Sequence, residues 1–426
     1  MTVFGVVRCE SLSRYTALTE LELHFDGAWP RDLDALSKTL APLTRLEMLY
    51  LDWNSHDGPE YDDTISGAVR IPSVRTLTVG RCSMSLGGPD MDIACPHLED
   101  FTCEPTGGVI SMRLLGRVPD IRALTIDGVC DPHGIDAHLA SCVGRTDRYP
   151  LHNLQRFCAN LMRVSQATLA LIGALLPRLT DLDLQLGDGV DVLPFMRATS
   201  HRLVRLRTTD TTCGKPCDGG SVVMHALTRL EIYGISDPQV AVLHFPALET
   251  LVTRIGARVG DLVAKCPRLL HCALVRPPSP CGEFASCRLA TASFPHLLQL
   301  SVAADGLQLD EIERLLGMFP GVRWLDIRRQ CRPYCTMAST EEETCVRWRT
   351  PSKELFRGMS APCAAAIAGS AVRLAPQLRE LYVGSFATSL RKDIYVRRRD
   401  MPLAGSHYCD DSAGSMPVHV DEVPYF

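Results

Sequence analysis

The chain is 426 residues long, 46% apolar and 22% charged, with a formal charge of −5 at neutral pH. That balance excludes a disordered or membrane-embedded chain and leaves no overall basic field for nucleic acid. Eighteen cysteines are too few per residue for a disulfide scaffold, so mostly free thiols in a reducing compartment are expected. The opening MTVFGVVRCESLSRYTALTE has Arg8, Glu10 and Arg14 where a signal peptide needs an unbroken apolar core. No apolar run long enough to span a membrane follows. A soluble protein of the cytoplasm or nucleus, without membrane contact, is expected.

VFGVV (3–7) predicts a short strand at the start of the chain. From Leu18 onward one nine-residue phrase recurs, apolar at its first, fourth and sixth places. It reads Leu18-TELELHFD, Leu46-EMLYLDWN, Val74-RTLTVGRC, Leu98-EDFTCEPT, Ile121-RALTIDGV, Leu154-QRFCANLM and Leu179-TDLDLQLG. It continues as Leu203-VRLRTTDT, Leu227-TRLEIYGI, Leu248-ETLVTRIG, Leu269-LHCALVRP, Leu297-LQLSVAAD, Val322-RWLDIRRQ and Leu378-RELYVGSF. All but the last of the steps between these starts are similar in length, from Leu227 to Leu248 among the shortest to Ile121 to Leu154 as the longest. The period is therefore genuine. Apolar fourth and sixth places around a polar fifth are the pattern of a half-buried strand. Asn54 and Cys82 at ninth places are positioned to satisfy backbone groups at the following bend. Helical patterns lie between phrases at 32–43, 166–179, 259–269 and 309–322, and proline commonly stands two residues before a phrase. There it ends the helix and favours extended backbone before the strand.

This pattern resembles the leucine-rich repeat family, L-x-x-L-x-L-x-x-N/C-x-L, over about residues 18–386. It is most similar to the irregular repeats of F-box and ribonuclease-inhibitor-like proteins. The resemblance implies an α/β solenoid, a horseshoe with parallel strands on the concave face and helices on the convex one. A doubly wound parallel sheet would need longer crossovers and a glycine-rich phosphate turn, and neither is visible. The expected organisation is an N-terminal capping segment at 1–17, one repeat domain at 18–386, and a C-terminal cap with a flexible tail at 387–426. The last step between phrases, from Val322 to Leu378, is about twice the usual length, and its polar middle, 331–359, reads as an insertion. Two further interruptions fall at 211–221 and 276–288.

Candidate chemistry is sparse. Cys213/Cys217, Cys281/Cys287 and Cys331/Cys335, with Cys345 and His407, are the best metal candidates. The two C-x₃-C pairs lie far apart in the chain, so no metal or other cofactor is expected. Cys103, Cys158 and Cys272, at strand places, read as small packing residues. No nucleophile elbow, zinc-protease or phosphate-loop string is present. Cys409 precedes Asp410 and Asp411, as the catalytic cysteine does in some bacterial repeat-linked ubiquitin ligases, but the large helical domain of that family does not follow here. The expectation is a protein without catalytic activity.

Recognition remains. Third, fifth and seventh places point away from the core. They supply Glu20, Glu22, His24, Tyr50, Asp52, Asp100, Glu104, Asp127, Asp181 and Asp183 in the earlier copies. Later copies supply Arg205, Arg207, Arg229, Tyr233, Arg254, Trp324 and Arg328, with Glu231, Asp326 and Glu380 as exceptions. A face acidic at one end and basic further along is therefore expected, with Tyr50, Tyr233, Trp324 and Arg328 as anchors for a protein partner. Resemblance to F-box repeat proteins implies a substrate receptor that meets a ubiquitin-ligase adaptor. No F-box precedes Leu18, so on that reading the box is lost or the chain truncated. The alternative is a regulatory or metal-stabilised module that binds through 211–221, 276–288 and 331–359.

Overall fold

An alternating phrase of this kind can bury only one side of a strand, so copies must line up side by side. The computed structural model describes residues 2–4, 12, 14–26, 33–54, 67–82, 91–105, 118, 120–127, 151–187, 189–209, 220–233, 237–254, 259–275, 294, 296–303, 313–314, 316–329, 369–371, 373–375, 377–385 and 394–397. Within it, each of the fourteen phrases forms one strand. The chain divides into two units, Met1–Ala247 and Leu248–Phe426, and is α/β with extensive parallel sheet.

The first unit opens with β1 (Thr2–Phe4), β2 (Glu20–Asp26), β3 (Met48–Asn54), β4 (Gly67–Val69), β5 (Thr76–Cys82), β6 (Met91–Ile93) and β7 (Asp100–Pro105). It continues with β8 (Ala123–Ile126), β9 (Arg156–Val164), β10 (Asp181–Leu186), β11 (Arg205–Thr209), β12 (Val222–Val223), β13 (Arg229–Tyr233) and β14 (Leu243–His244). Its main ladder runs β1-β2-β3-β5-β7-β8-β9-β10-β11-β13, parallel throughout. Two short parallel pairs, β4 with β6 and β12 with β14, lie outside that ladder. The second unit holds β15 (Thr250–Arg254), β16 (His271–Val275), β17 (Gln299–Ala303), β18 (Trp324–Arg329), β19 (Glu380–Ser385) and β20 (Ile394–Arg397). The first five are parallel, and β20 pairs with β19 antiparallel.

The register is in phase: like places face like places. Glu22 pairs with Tyr50, Tyr50 with Thr78, and Thr78 with Thr102, while Asp183 pairs with Arg207 and Arg207 with Glu231. Two irregularities interrupt it, between Leu184 and Gln185 against β9, and between Val79 and Cys82 against β7. With no stagger, apolar places stack in rows. Leu21, Leu49, Leu77, Phe101, Leu124, Phe157 and Leu182 at fourth places are all buried, as are Leu23, Leu51, Val79, Cys103 and Ile126 at sixth places.

First-place residues are fixed by a tight turn. The amide of Leu98 donates to the Cys95 carbonyl, Leu179 to Leu176, Leu269 to Cys266 and Val322 to Phe319. Pro96, Pro177, Pro267 and Pro320 stand second in these four-residue turns, where the φ that the proline ring imposes is the favoured one. Proline here shapes a turn between two buried side chains rather than simply stopping a helix.

Helices cover the apolar side. α1 (Leu33–Leu40) buries Leu33, Leu36, Ser37 and Leu40, the i, i+3, i+4, i+7 face. Ser37 Oγ donates to the Ala68 carbonyl at 2.8 Å and accepts from the Arg70 amide at 2.9 Å, tying helix to β4. Gly67 stands beside them at φ +93°, and a Cβ there would lie 2.9 Å from Asp34 Oδ2, so only glycine fits. α2 (Gln166–Leu175) is capped by Ser165, whose Oγ accepts from the Thr168 amide at 3.1 Å. α3 (Leu193–Thr199) lies against α2, with Phe195 close to Gly173. Gln166 closes this pair by exchanging two hydrogen bonds with the Asp191 backbone. Two shorter helices, α4 (Asp237–Val242) and α5 (Val259–Ala264), follow. The segments 331–359, 211–219 and 276–288 lie outside the described residues, as does everything after 397.

Leu182, only 2% exposed, tests the register. Leu182→Asp puts a charge into the apolar row and should cost about 3 kcal/mol or more. Urea unfolding followed by circular dichroism measures this, and an unchanged midpoint would show that the fourth place does not face the core.

Candidate functional site

On the opposite side of the sheet, third, fifth and seventh places form three rows. In the first unit the third-place row carries Glu20, Met48, Thr76, Asp100, Ala123, Arg156, Asp181, Arg205 and Arg229. The fifth-place row carries Glu22, Tyr50, Thr78, Thr102, Thr125, Cys158, Asp183, Arg207 and Glu231. Glu20 and Arg205 are exposed, and Glu22, Tyr50, Asp100, Asp183 and Arg229 are half-buried. Asp52 and Glu231 are buried, at 6% and 7% exposure.

Charges cross strands at both ends of this face. His24 lies between two carboxylates, its Nε2 2.8 Å from Glu22 Oε1 and its Nδ1 3.1 Å from Asp52 Oδ2. The Tyr50 ring is tilted against it at 5.8 Å. Further along, Arg205 lies 3.5 Å from Asp181, and Arg207 bridges Asp183 at 3.3 Å and Glu231 at 3.0 Å. The expected basic stretch is thus interleaved with its own carboxylates. The outward places of β2 to β8 hold Glu20, Glu22, Asp52, Asp100, Glu104 and Asp127.

Beside the bridge, the Cys158 Sγ–H points at Asp183 Oδ2, 3.6 Å away. Cys103 and Cys272 are packing residues of the core, as expected. Cys158, at a fifth place, instead belongs to the polar face. Burial, reinforced by Asp183, pushes its thiol up to about 12. Burial likewise pushes the Asp183 carboxyl up, with Arg207 pulling it back and Glu231 opposing Arg207. A thiol so firmly protonated is a poor nucleophile.

In the second unit, Trp324 is 48% exposed at a third place. Gln299 is its neighbour on β17, and Gln299 Oε1 lies 3.0 Å from His271 Nδ1. Thr250, Val252, His271, Ala273, Gln299 and Ser301 line a depression on this face. Tyr233, Arg254 and Arg328 lie on strands in outward register, but their side chains are outside the described residues.

Two face residues escape a reading that looks only for polar outward positions already in view. Arg156 is the third place of its copy and is legible by counting. Met48, 46% exposed, is harder to find because an apolar residue at an outward place looks like core. Among the described residues no group of three or more His, Cys, Asp or Glu is placed to hold a metal. The Cys213, Cys281 and Cys331 clusters fall outside the described residues. No described helix is long and apolar enough to cross a membrane. No family model matches the chain, and no curated protein is significantly similar to it.

Two outcomes follow from the Asp183 network. Since the folded chain holds the Asp183 proton more tightly than the unfolded chain, its contribution is favourable below the unfolded carboxylate range, about pH 4. It is lost as pH rises through the higher folded value. Asp183→Asn should therefore melt above wild type at about pH 7, with the difference vanishing at about pH 3. A lower melting temperature at neutral pH would show that the charge is net favourable. Cys158 should resist iodoacetamide in the native chain at neutral pH and react fully after denaturation, read by peptide mass mapping. Rapid native labelling would contradict its buried, protonated state.

Proposed function

We propose that the chain is a leucine-rich-repeat-type solenoid working as a non-catalytic protein–protein interaction scaffold, with the partner on the polar sheet face. One observation carries this: the outward places are continuous from strand to strand in each unit, with Trp324 half exposed among them. A tryptophan left open on a strand face costs hydrophobic free energy unless something covers it, and tryptophan is enriched among binding hot spots. The resemblance of the repeat phrase to that of F-box repeat proteins adds a more specific proposal, a ubiquitin-ligase substrate receptor.

Affinity capture from native lysate tests both levels. The baits are wild type, Trp324→Ala and Thr102→Arg on the face, and Arg178→Glu on an exposed turn away from it. Partners held by wild type and Arg178→Glu, but lost from either face variant, are the expected result. Ligase adaptor and cullin among them support the receptor role, and their absence removes it. Identical recoveries from all four baits would place binding elsewhere.

A further inference from the structure

The second unit holds a patch of polar face whose hydrogen-bonding groups are open and uncharged. Its third-place row runs Thr250, His271, Gln299 and Trp324 in direct register, from β15 to β18. Val252, Ala273 and Ser301 stand beside them in the fifth-place row. The first three of the third-place row and all three of the fifth line one depression, and Trp324 is the strand neighbour of Gln299. No lysine, arginine or carboxylate lines it.

A second observation is that these polar atoms lack partners and reach solvent. Gln299 Oε1 can only accept, so His271 Nδ1, 3.0 Å away, donates to it. That leaves the Gln299 amide nitrogen as a donor and, in the neutral ring, His271 Nε2 as an acceptor. Among the described residues neither has a partner, and neither do the Thr250 and Ser301 hydroxyls. Thr250, His271, Gln299 and Ser301 are all half-buried. The buried side-chain atoms without a partner are Asp52 Oδ1, Arg202 Nε and Thr208 Oγ1 among the described residues, so these four groups are open to water. Val252, at an outward place yet only 3% exposed, and Ala273 give the depression an apolar part. Trp324, 48% exposed, adds a flat apolar face beside it.

We propose that this patch binds a neutral, gluco-configured sugar ring of a glycan carried by a protein partner, stacked on Trp324 with its hydroxyls meeting Gln299, His271, Ser301 and Thr250. The proposal deepens the interaction reading above and rests on it for the partner. A pyranose ring is amphipathic, with apolar C–H faces and a rim of hydroxyls. All-equatorial substituents, as in glucose and N-acetylglucosamine, leave those faces flat enough to lie on an indole. The negative face of the indole attracts the C–H groups. Each sugar hydroxyl both donates and accepts. That matches a rim offering a donor amide, an acceptor imidazole nitrogen and two hydroxyls. A proline-rich peptide also stacks on tryptophan, but its prolines bring carbonyl acceptors and no N–H. His271 Nε2 would then be left without a donor. A nucleic-acid base stacks as well, but its phosphates would find no lysine or arginine lining the depression, and Asp326 stands beside Ser301. Charge complementarity therefore selects a neutral ligand. The four strands span about 14 Å, room for a short oligosaccharide.

The test is saturation-transfer NMR on the full chain, titrated separately with chitotriose and cellotriose, two neutral gluco-configured sugars. Transfer to the ring C–H protons of at least one sugar is expected, with an affinity that does not change between low and high salt. Trp324→Ala should weaken binding about tenfold or more, the size of loss seen when a stacking ring is removed. Trp324→Tyr should restore part of it, and Met48→Ala, an exposed apolar residue on the other unit, should leave it unchanged. No transfer to either sugar would overturn the proposal, as would equal binding by wild type and Trp324→Ala. Displacement of the sugar by an oligothymidylate would overturn it too, showing a platform for any flat ring. If Trp324→Ala melts below wild type, the pair Gln299→Ala/Ser301→Ala replaces it under the same criterion. A protein partner lost from Trp324→Ala, but still captured by wild type after enzymatic removal of its glycans, would sink this proposal and leave the interaction reading standing.

Discussion

One hydrogen-bond arrangement recurs between successive copies, and the remaining order follows from it. In most copies the carbonyl at the second place of a phrase accepts two amides, those at the second and third places of the next. Thr19 accepts from Glu47 and Met48, Glu47 from Arg75 and Thr76, Arg75 from Glu99 and Asp100, and Glu99 from Arg122 and Ala123. In the second unit, Glu249 accepts from Leu270 and His271, and Leu270 from Leu298 and Gln299. A carbonyl has two lone pairs, so nothing is strained by the double acceptance. Its consequence is register: each strand enters the ladder at the same place as its predecessor. Slipping by one residue would lose both bonds and turn every leucine of the row toward water. The Pro-containing turn just upstream holds the first-place residue in the core and delivers those two amides.

Register in turn separates the two faces chemically. Fourth and sixth places stack with like places in neighbouring strands and are buried, as is the Leu33, Leu36 and Leu40 stripe of α1. Polar residues enter these rows only as short side chains, Thr208 and Thr253. On the other face the same stacking aligns charges in rows, where opposite signs on adjacent strands meet within about 5 Å. Asp183, Arg207 and Glu231 show the benign outcome, an alternating row. Glu22 and Asp52 show another, two carboxylates on adjacent strands with His24 between them.

Much of this is legible in the sequence, because the repeat period and the one-four-six alternation are local properties. Leu46, Val74 and Leu98 at first places and Leu49, Leu77 and Phe101 at fourth places can be assigned to the core by counting. So can the helix at 33–40, from its apolar spacing. What counting cannot reach depends on which copies become neighbours. The Arg207 bridge to Glu231 and the lone oxygen of Asp52 arise only once strands a whole repeat apart in the chain are in register. Cys158 reads as a core residue from its type alone, because cysteine is usually buried. Only its fifth-place position beside Asp183 reveals otherwise. The parallel pairs β4–β6 and β12–β14 escape counting because such short segments carry no periodicity to read.

The central claim is that each phrase is one strand locked in phase to its neighbours. Hydrogen–deuterium exchange across the full chain, resolved by peptide mass spectrometry, measures it directly. Amides within 47–52, 75–79, 99–103, 180–184, 204–208 and 270–274 should be the slowest in the molecule, protected in every copy alike. Exchange in these segments at the rate of an unstructured peptide would contradict the in-phase ladder, and with it every statement about which side chains the face presents.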